Sequence, residues 1–174
     1  CAWFNEQPRL TARINTVKVS IEDCLKELED LGWIVEQDKH IPEVVYVDGH
    51  QGHLEKVKPV LEGHITFMDK ASMLVAHVVD PQPGERILDC CAAPGGKSMH
   101  MASLMNNTGA IMSCDIYDHK LNLMNQNADR LGISIISTKL QDGRHLPDNW
   151  KEQFDRVLVD APCSGLGILQ KKLD

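Results

Sequence analysis

Apolar and polar residues alternate loosely over residues 10–18, LTARINTVK, which predicts a strand. The spacing then changes. Ile21, Cys24, Leu25, Leu28 and Leu31 recur at helical intervals and give one apolar face. Ser20 stands at the cap position, Asp23 follows as in a short capping box, and Gly32 closes the helix. Short β-type runs come next at residues 33–36 and 44–47, with Asp48-Gly49 as a turn signal. Strand, helix, strand, strand predicts a small α+β unit over residues 1–62, at about 60 residues marginal as a free domain.

From residue 63 the pattern is that of alternating strands and helices. Residues 69–79 place Ala71, Leu74, Val75 and Val78 on one helical side, and Pro81 and Pro83 stop the run. A strand at 86–90 is followed by a helix at 97–105, on which Met99, Met101 and Met105 are expected to pack against a sheet. Further strands are expected at 110–114, closed by Asp115; at 134–140, closed by Asp142; and around 157–159, closed by Asp160. A helix at 118–131, ended by Gly132, lies between the first two of these. Such alternation predicts an α/β fold over residues 63–174, a Rossmann-like parallel sheet with ligands at the carboxyl ends of its strands. The last strand, RVLVD, is apolar on both faces, as a central strand is. The sheet is therefore expected to be truncated after its fourth strand. Cys1 in first place points the same way, to a piece of a longer protein.

Composition adds limits. The 174 residues are 43% hydrophobic and 25% charged, with a net charge of −7, which argues against nucleic-acid binding by bulk charge. A local basic face is still open, because Arg9, Arg13 and Lys18 face Glu6 alone near the start, and Lys171 and Lys172 sit near the end. No run reaches the roughly 18 apolar residues of a membrane span, and no signal peptide is visible. The six cysteines form no C-x-x-C pair, and several lie in apolar runs, so a reducing, cytoplasmic setting is expected, with no metal and no membrane. His50, His53 and His64 lack the cysteine pair a zinc site would add. Trp3, Phe4 and Trp33 can stack on bases, but packing is the commoner role.

The stretch LDCCAAPGGKSMH, Leu88 to His100, ends like a phosphate-binding loop. Its beginning does not. Cys91 stands where the first glycine is required, and Pro94 lacks an amide hydrogen for a phosphate cradle. A nucleotide hydrolase using Lys97, Ser98 and Asp160 is the weaker alternative for that reason. Asp115 ends the next strand, where a carboxylate accepts both ribose hydroxyls in Rossmann folds. Asp142 can accept from an adenine amino group, and Asp160 closes the strand beside the loop. Carboxylates without a phosphate cradle suit a cationic adenosine cofactor, and S-adenosylmethionine has that chemistry.

LDCCAAPGGKS together with DAPCSGLG resembles the Sun-type RNA (cytosine-5)-methyltransferase family. GHITFMDKAS, Gly63 to Ser72, is similar to that family's preceding helix motif, and RINT, Arg13 to Thr16, to the start of its small RNA-contacting unit. The resemblance covers nearly the whole chain and points to the bacterial branch acting on small-subunit (16S) ribosomal RNA, often called RsmB. It implies S-adenosylmethionine as cofactor, RNA as partner and a monomer in the full-length form. It also implies a NusB-like helical domain, which these residues do not include. Cys91, Ala92, Ala93, Pro94, Gly95, Gly96 and Lys97 would contact the methionine part of the cofactor. Asp115 would hold the ribose, Asp142 would lie near adenine, and Asp160 would face both cofactor and cytosine.

Cytosine C5 is a poor nucleophile, so the chemistry needs a thiolate that adds to C6 and later leaves. Cys163, on a Pro-Cys-Ser-Gly turn three residues after Asp160, is the candidate from chemistry alone. The resemblance instead gives Cys163 a part in product release and the attack to a later Thr-Cys-Ser motif, which does not occur in these residues. Asp160 and Lys97 complete the expected catalytic set. The family's R-K-P-D after DAPCSG-x-G is replaced here by Gln170-Lys171-Lys172-Leu173-Asp174. The expectation is an enzyme whose 174 residues here bind cofactor but do not turn over alone, with a non-catalytic RNA-binding module as the alternative.

Overall fold

The computed structural model describes residues 9–49 and 53–161. Two four-stranded sheets organise them. The first is antiparallel, in the order β2-β3-β1-β4, from β1 (Leu10–Ile14), β2 (Ile34–Gln37), β3 (Val44–Asp48) and β4 (Ile65–Phe67). Ala12 and Ile14 of β1 are fully buried with Cys24 and Leu28 of α1 (Ile21–Asp30). The helix begins as its sequence predicts, because the Ser20 hydroxyl accepts from the Asp23 amide at 3.1 Å. Trp33 is buried and its ring centroid lies 6.3 Å from that of Phe67, so it is a packing residue. Trp3 and Phe4 lie outside the described residues.

The second sheet is parallel, in the order β7-β6-β5-β8, from β5 (Arg86–Asp89), β6 (Ala110–Asp115), β7 (Ile136–Leu140) and β8 (Arg156–Leu158). Between its strands run α4 (Gly96–Leu104) and α5 (Asp118–Leu131), with α3 (Lys70–Val79) ahead of β5. Met99, Met101 and Met105 are buried in one core with Ile87, Ile111 and Met124, as their spacing predicts. This is the expected Rossmann-like α/β fold beside a small α+β unit. Among the described residues no helix is long and apolar enough to cross a membrane.

One expectation changes. A boundary after residue 62 cuts the first sheet, because β4 pairs with β1 through Ala12–Phe67, Arg13–Thr66 and Ile14–Ile65. The chain returns to the small sheet once more before α3. The last strand, β8, pairs only with β5 among the described residues, and Val157 and Val159 are exposed, as a sheet truncated after its fourth strand leaves them.

The units are joined along a polar seam. A short helix, α2 (Lys58–Leu61), leads to Gly63, whose φ of 76° is left-handed. A Cβ at Gly63 would lie 2.2 Å from the Arg130 carbonyl oxygen near the end of α5. Asn15 Nδ2 donates to the carbonyls of Gly63 at 2.8 Å and Leu131 at 2.9 Å. Lys18 Nζ donates to those of Glu62 at 2.9 Å and Arg130 at 2.7 Å, a cation at the negative end of a helix. The three cations near the start, left open as a basic face, go to separate places. Arg9 pairs with Glu36 at 2.8 Å, Arg13 is fully buried, and Lys18 holds the seam.

Glu43 and Asp38 close the rest of the seam. Glu43 Oε1 accepts from His77 of α3 at 2.7 Å and from His100 of α4 at 2.8 Å. Burial lowers the His100 ring to about 4, against the pull of its Glu43 bond, so it is neutral near pH 7. Burial pushes the Glu43 carboxyl up, but hydrogen bonds from His100, its own backbone and His77 outweigh that and hold it at about 2. Lys70, first in α3, pairs with Asp38 at 2.5 Å, and the Tyr46 hydroxyl donates to the same carboxylate at 2.7 Å.

The seam predicts a sharp contrast between two glycines. Gly63→Ala forces a methyl into a backbone carbonyl and is expected to cost more than about 3 kcal/mol in urea unfolding. Gly84→Ala, at a similar φ of 90° but with nothing within 4 Å of the new carbon, is expected to cost about 1 kcal/mol.

Candidate functional site

β5 lies between two neighbours and is buried along Ile87, Leu88 and Asp89. Its chain then turns through Cys90 to Gly95 and enters α4. Gly95 is the cap, at φ 101°, and Met124 and Met99 would meet a Cβ there at 3.1 and 3.3 Å. The cap therefore has no side chain and makes no side-chain hydrogen bond to the helix. The first-turn amides of α4 keep donors for an incoming group.

A cavity of about 890 Å³ opens over this loop. Every residue expected to hold a cofactor lines it: Cys91, Ala92, Ala93, Pro94, Gly95, Gly96 and Lys97 from the loop, with Asp115, Asp142 and Asp160 from the strand ends. Cys163 lies outside the described residues, as do Lys171 and Lys172. Arg13, Thr66, Phe67 and Met68 of the small unit form another wall, which the sequence did not reveal. Met68 is held there by β1, since the Thr11 hydroxyl donates to its carbonyl at 2.6 Å.

The three carboxylates differ in what they leave free. Asp115 is mostly buried, and its Oδ1 accepts from the Tyr117 amide at 3.1 Å, with Lys120 Nζ 3.9 Å away. Its Oδ2 has no protein partner among the described residues. Asp142 is gripped by Arg144, which donates from its amide at 2.9 Å, Nε at 3.0 Å and Nη2 at 2.7 Å. Those side-chain bonds hold the carboxyl well below its ordinary range. Asp160 pairs with Lys97 Nζ at 2.5 Å, and its side chain is 46% exposed, so it faces the open part of the cavity.

Asp89 is a site-supporting residue that the sequence reading passed over. It is buried, accepts from Ser98 Oγ at 2.7 Å and from the Cys91 amide at 3.4 Å, and so ties the loop to the first turn of α4. Ser113 Oγ donates to Ser98 Oγ at 3.0 Å from the next strand. The signal was there: Asp89 also closes a strand, like Asp115, Asp142 and Asp160. Burial pushes its carboxyl up to about 6, against the pull of the Ser98 bond. Burial, helped by Asp89, Asp115, Asp160 and Asp142, also raises the half-buried Cys91 thiol. His64 Nδ1 bonds Glu27 at 2.7 Å, and His50 lies outside the described residues.

Comparison with known proteins gives this site a family. The family described as 16S rRNA methyltransferase RsmB/F matches residues 76–174. The chain belongs to the RsmB/F family. Residues 1–52 match the ferredoxin-like domain of RsmF/B-like methyltransferases. A probable ribosomal RNA small subunit methyltransferase B of Bacillus subtilis is 40% identical over 168 residues, 96% of this chain and 37% of that protein. The human 28S rRNA (cytosine(4447)-C(5))-methyltransferase is 37% identical over 180 residues, 96% of this chain and 21% of that protein. The chain thus spans well under half the length of these RsmB/F relatives. A methyltransferase homolog structure from Pyrococcus horikoshii matches with a TM-score of 0.87 and 30% identity, covering 99% of this chain and 56% of that one.

The buried Asp89 carries a pH signature. Its proton is held more tightly in the folded chain than in the unfolded one, where the ordinary value is 3.8. Its contribution to stability is whole below that value and is lost as pH rises through about 6. Asp89→Asn has no proton to lose. Relative to the unsubstituted chain, the variant is expected to gain about 3 kcal/mol between acid pH and neutrality, read by urea unfolding across that range.

Proposed function

We propose that the chain is the cofactor-binding and base-handling part of an enzyme that methylates C5 of cytosine in RNA, small-subunit ribosomal RNA, with S-adenosylmethionine. The observation that carries the reading is the single cavity that gathers the CAAPGGK loop with Asp115, Asp142 and Asp160. The donor set fits the cofactor. Asp115 Oδ2 is open to ribose hydroxyls, and first-turn amides of α4 are open to the carboxylate of the methionine part. Asp160 and the neighbouring carboxylates suit a sulfonium charge. Asp142 is the weakest of the three for adenine, since Arg144 donates to both of its oxygens.

When bound, S-adenosylmethionine supplies an electrophilic methyl group. The chain's own part is to hold the pyrimidine beside it. Lys97 fixes the Asp160 carboxylate at the cavity mouth, where it meets the N3/N4 edge of a cytosine. A cysteine thiolate adds to C6 and makes C5 nucleophilic, and after loss of the C5 proton the thiolate leaves. In this reading the attacking thiolate belongs to a Thr-Cys-Ser motif, and Cys163 assists release of the product. The similarity to an enzyme named as a cytosine-C5 methyltransferase supports the reaction class. The alternative of a nucleotide hydrolase is disfavoured by Cys91, Pro94 and the engagement of Lys97 by Asp160.

Calorimetry tests the cofactor. S-adenosylhomocysteine is expected to bind and magnesium-ATP is not. Asp115→Ala is expected to weaken binding at least about tenfold, since it removes a charged acceptor of two hydroxyls. Tight magnesium-ATP binding without S-adenosylhomocysteine binding overturns the proposal.

A further inference from the structure

The cavity has a second half that the cofactor reading leaves unused. It runs along the seam, between β1 and β4 on one side and α5 on the other. Arg13 and Thr66 line it from paired positions on adjacent strands, and Lys120, Asn127 and Arg130 line it from α5. The carboxylates that line the cavity, Asp115, Asp142 and Asp160, all stand at strand ends. Over the sheet the carboxylates are partly answered where they stand, Asp160 by Lys97 and Asp142 by Arg144, whereas Arg13 and Arg130 along the seam have no carboxylate bonded to them among the described residues, in a chain whose net charge is −7.

The seam half also holds unmet hydrogen-bonding capacity. Arg13 is fully buried, and its one hydrogen bond runs from Nη1 to Ser103 Oγ at 3.0 Å. Among the described residues its Nε and Nη2 have no partner, and neither does Thr66 Oγ1. Glu43 attracts Arg13 through space without a hydrogen bond between them. Burial, with Arg130 adding to it, pulls the guanidinium down to about 10, which leaves it cationic at neutral pH. Buried donors of this kind normally have partners, and a buried cation more so. Arg130 donates to the Val60 carbonyl at 2.6 Å and to Asn127 at 3.3 Å, which keeps the second cation at the cavity wall.

We propose that this seam half is an anion subsite that takes a backbone phosphate of the substrate RNA strand, received by Arg13, Thr66 and Arg130. The proposal rests on the reading that the substrate is RNA. A phosphodiester oxygen is the matching acceptor for a guanidinium and a hydroxyl together. The seam half also adjoins the cofactor half in one cavity, so one strand can offer a base to Asp160 and a linkage to the seam.

The test uses a fluorescein-labelled single-stranded oligoribonucleotide and anisotropy over a range of salt concentrations. Arg130→Gln is expected to weaken binding severalfold and to lower the slope of log affinity against log salt by about 1. Thr66→Val, nearly isosteric and checked for folding by its melting temperature, is expected to weaken binding about threefold with the slope kept. Replacing phosphodiesters of the oligonucleotide by methylphosphonates is expected to abolish the difference between variants and the unsubstituted chain. S-adenosylhomocysteine affinity is expected to stay the same in both variants. If the unsubstituted chain binds RNA and both variants match it in affinity and slope, the subsite is overturned while the RNA reading stands. If the unsubstituted chain binds no RNA, the RNA reading falls and the subsite with it.

Discussion

The carbonyl ends of α5 are where the two halves of this structure meet. The last turn of any helix leaves carbonyl groups without intrahelical partners. Here the small unit supplies those partners, from Asn15 and Lys18, and the chain at Gly63 passes so close to Arg130 that no side chain fits between them. That contact sets the height of β4 above the helices. Met68 then falls against Gly96 at the start of α4, where a Cβ on the glycine would meet its methyl at 3.3 Å. A wall of the cavity is thus built by a unit that contributes none of the strand-end carboxylates.

Electrostatics follows from the same docking. Parallel strands end together, so the acidic residues that close them come to one side of the sheet. The seam needs cations to answer helix carbonyls, so its basic residues are drawn to the opposite side. Neither grouping requires the other, yet both open on one space. Glu43, shared by His77 and His100, and Asp38, shared by Lys70 and Tyr46, add further contacts between the units with buried, engaged carboxylates. Such engaged pairs fix orientation more than they add stability, because much of their attraction is offset by desolvation.

Much of this was legible in the sequence where local rules act. Ser20 and Asp23 form their cap, Gly132 ends α5, and the methionines of α4 face the core, because capping and periodicity are decided within a few residues. The CAAPGGK loop and the strand-end aspartates were legible for a similar reason: strand then helix fixes where a βα loop points. What escaped depends on distant chain segments. Nothing near residues 65–67 says that they pair with β1 across fifty residues of sequence. Arg13, Asn15 and Lys18 read as surface cations and polar residues until the helix ends they serve are brought to them. Asp89 escaped because the same pattern was applied to three later strands and not to the one that bears the loop.

The raised thiol of Cys91 has a consequence for the durability of such a site. A thiolate next to an activated methyl group is a rival substrate, and an enzyme that kept one there would alkylate itself. The carboxylates that suit a positively charged sulfur also make ionising a nearby sulfhydryl unfavourable. With the donor bound, one electrostatic arrangement both attracts the reagent and protects the wall of the vessel that holds it. In the proposed reading, a cysteine in this loop then stays a thiol beside the donor.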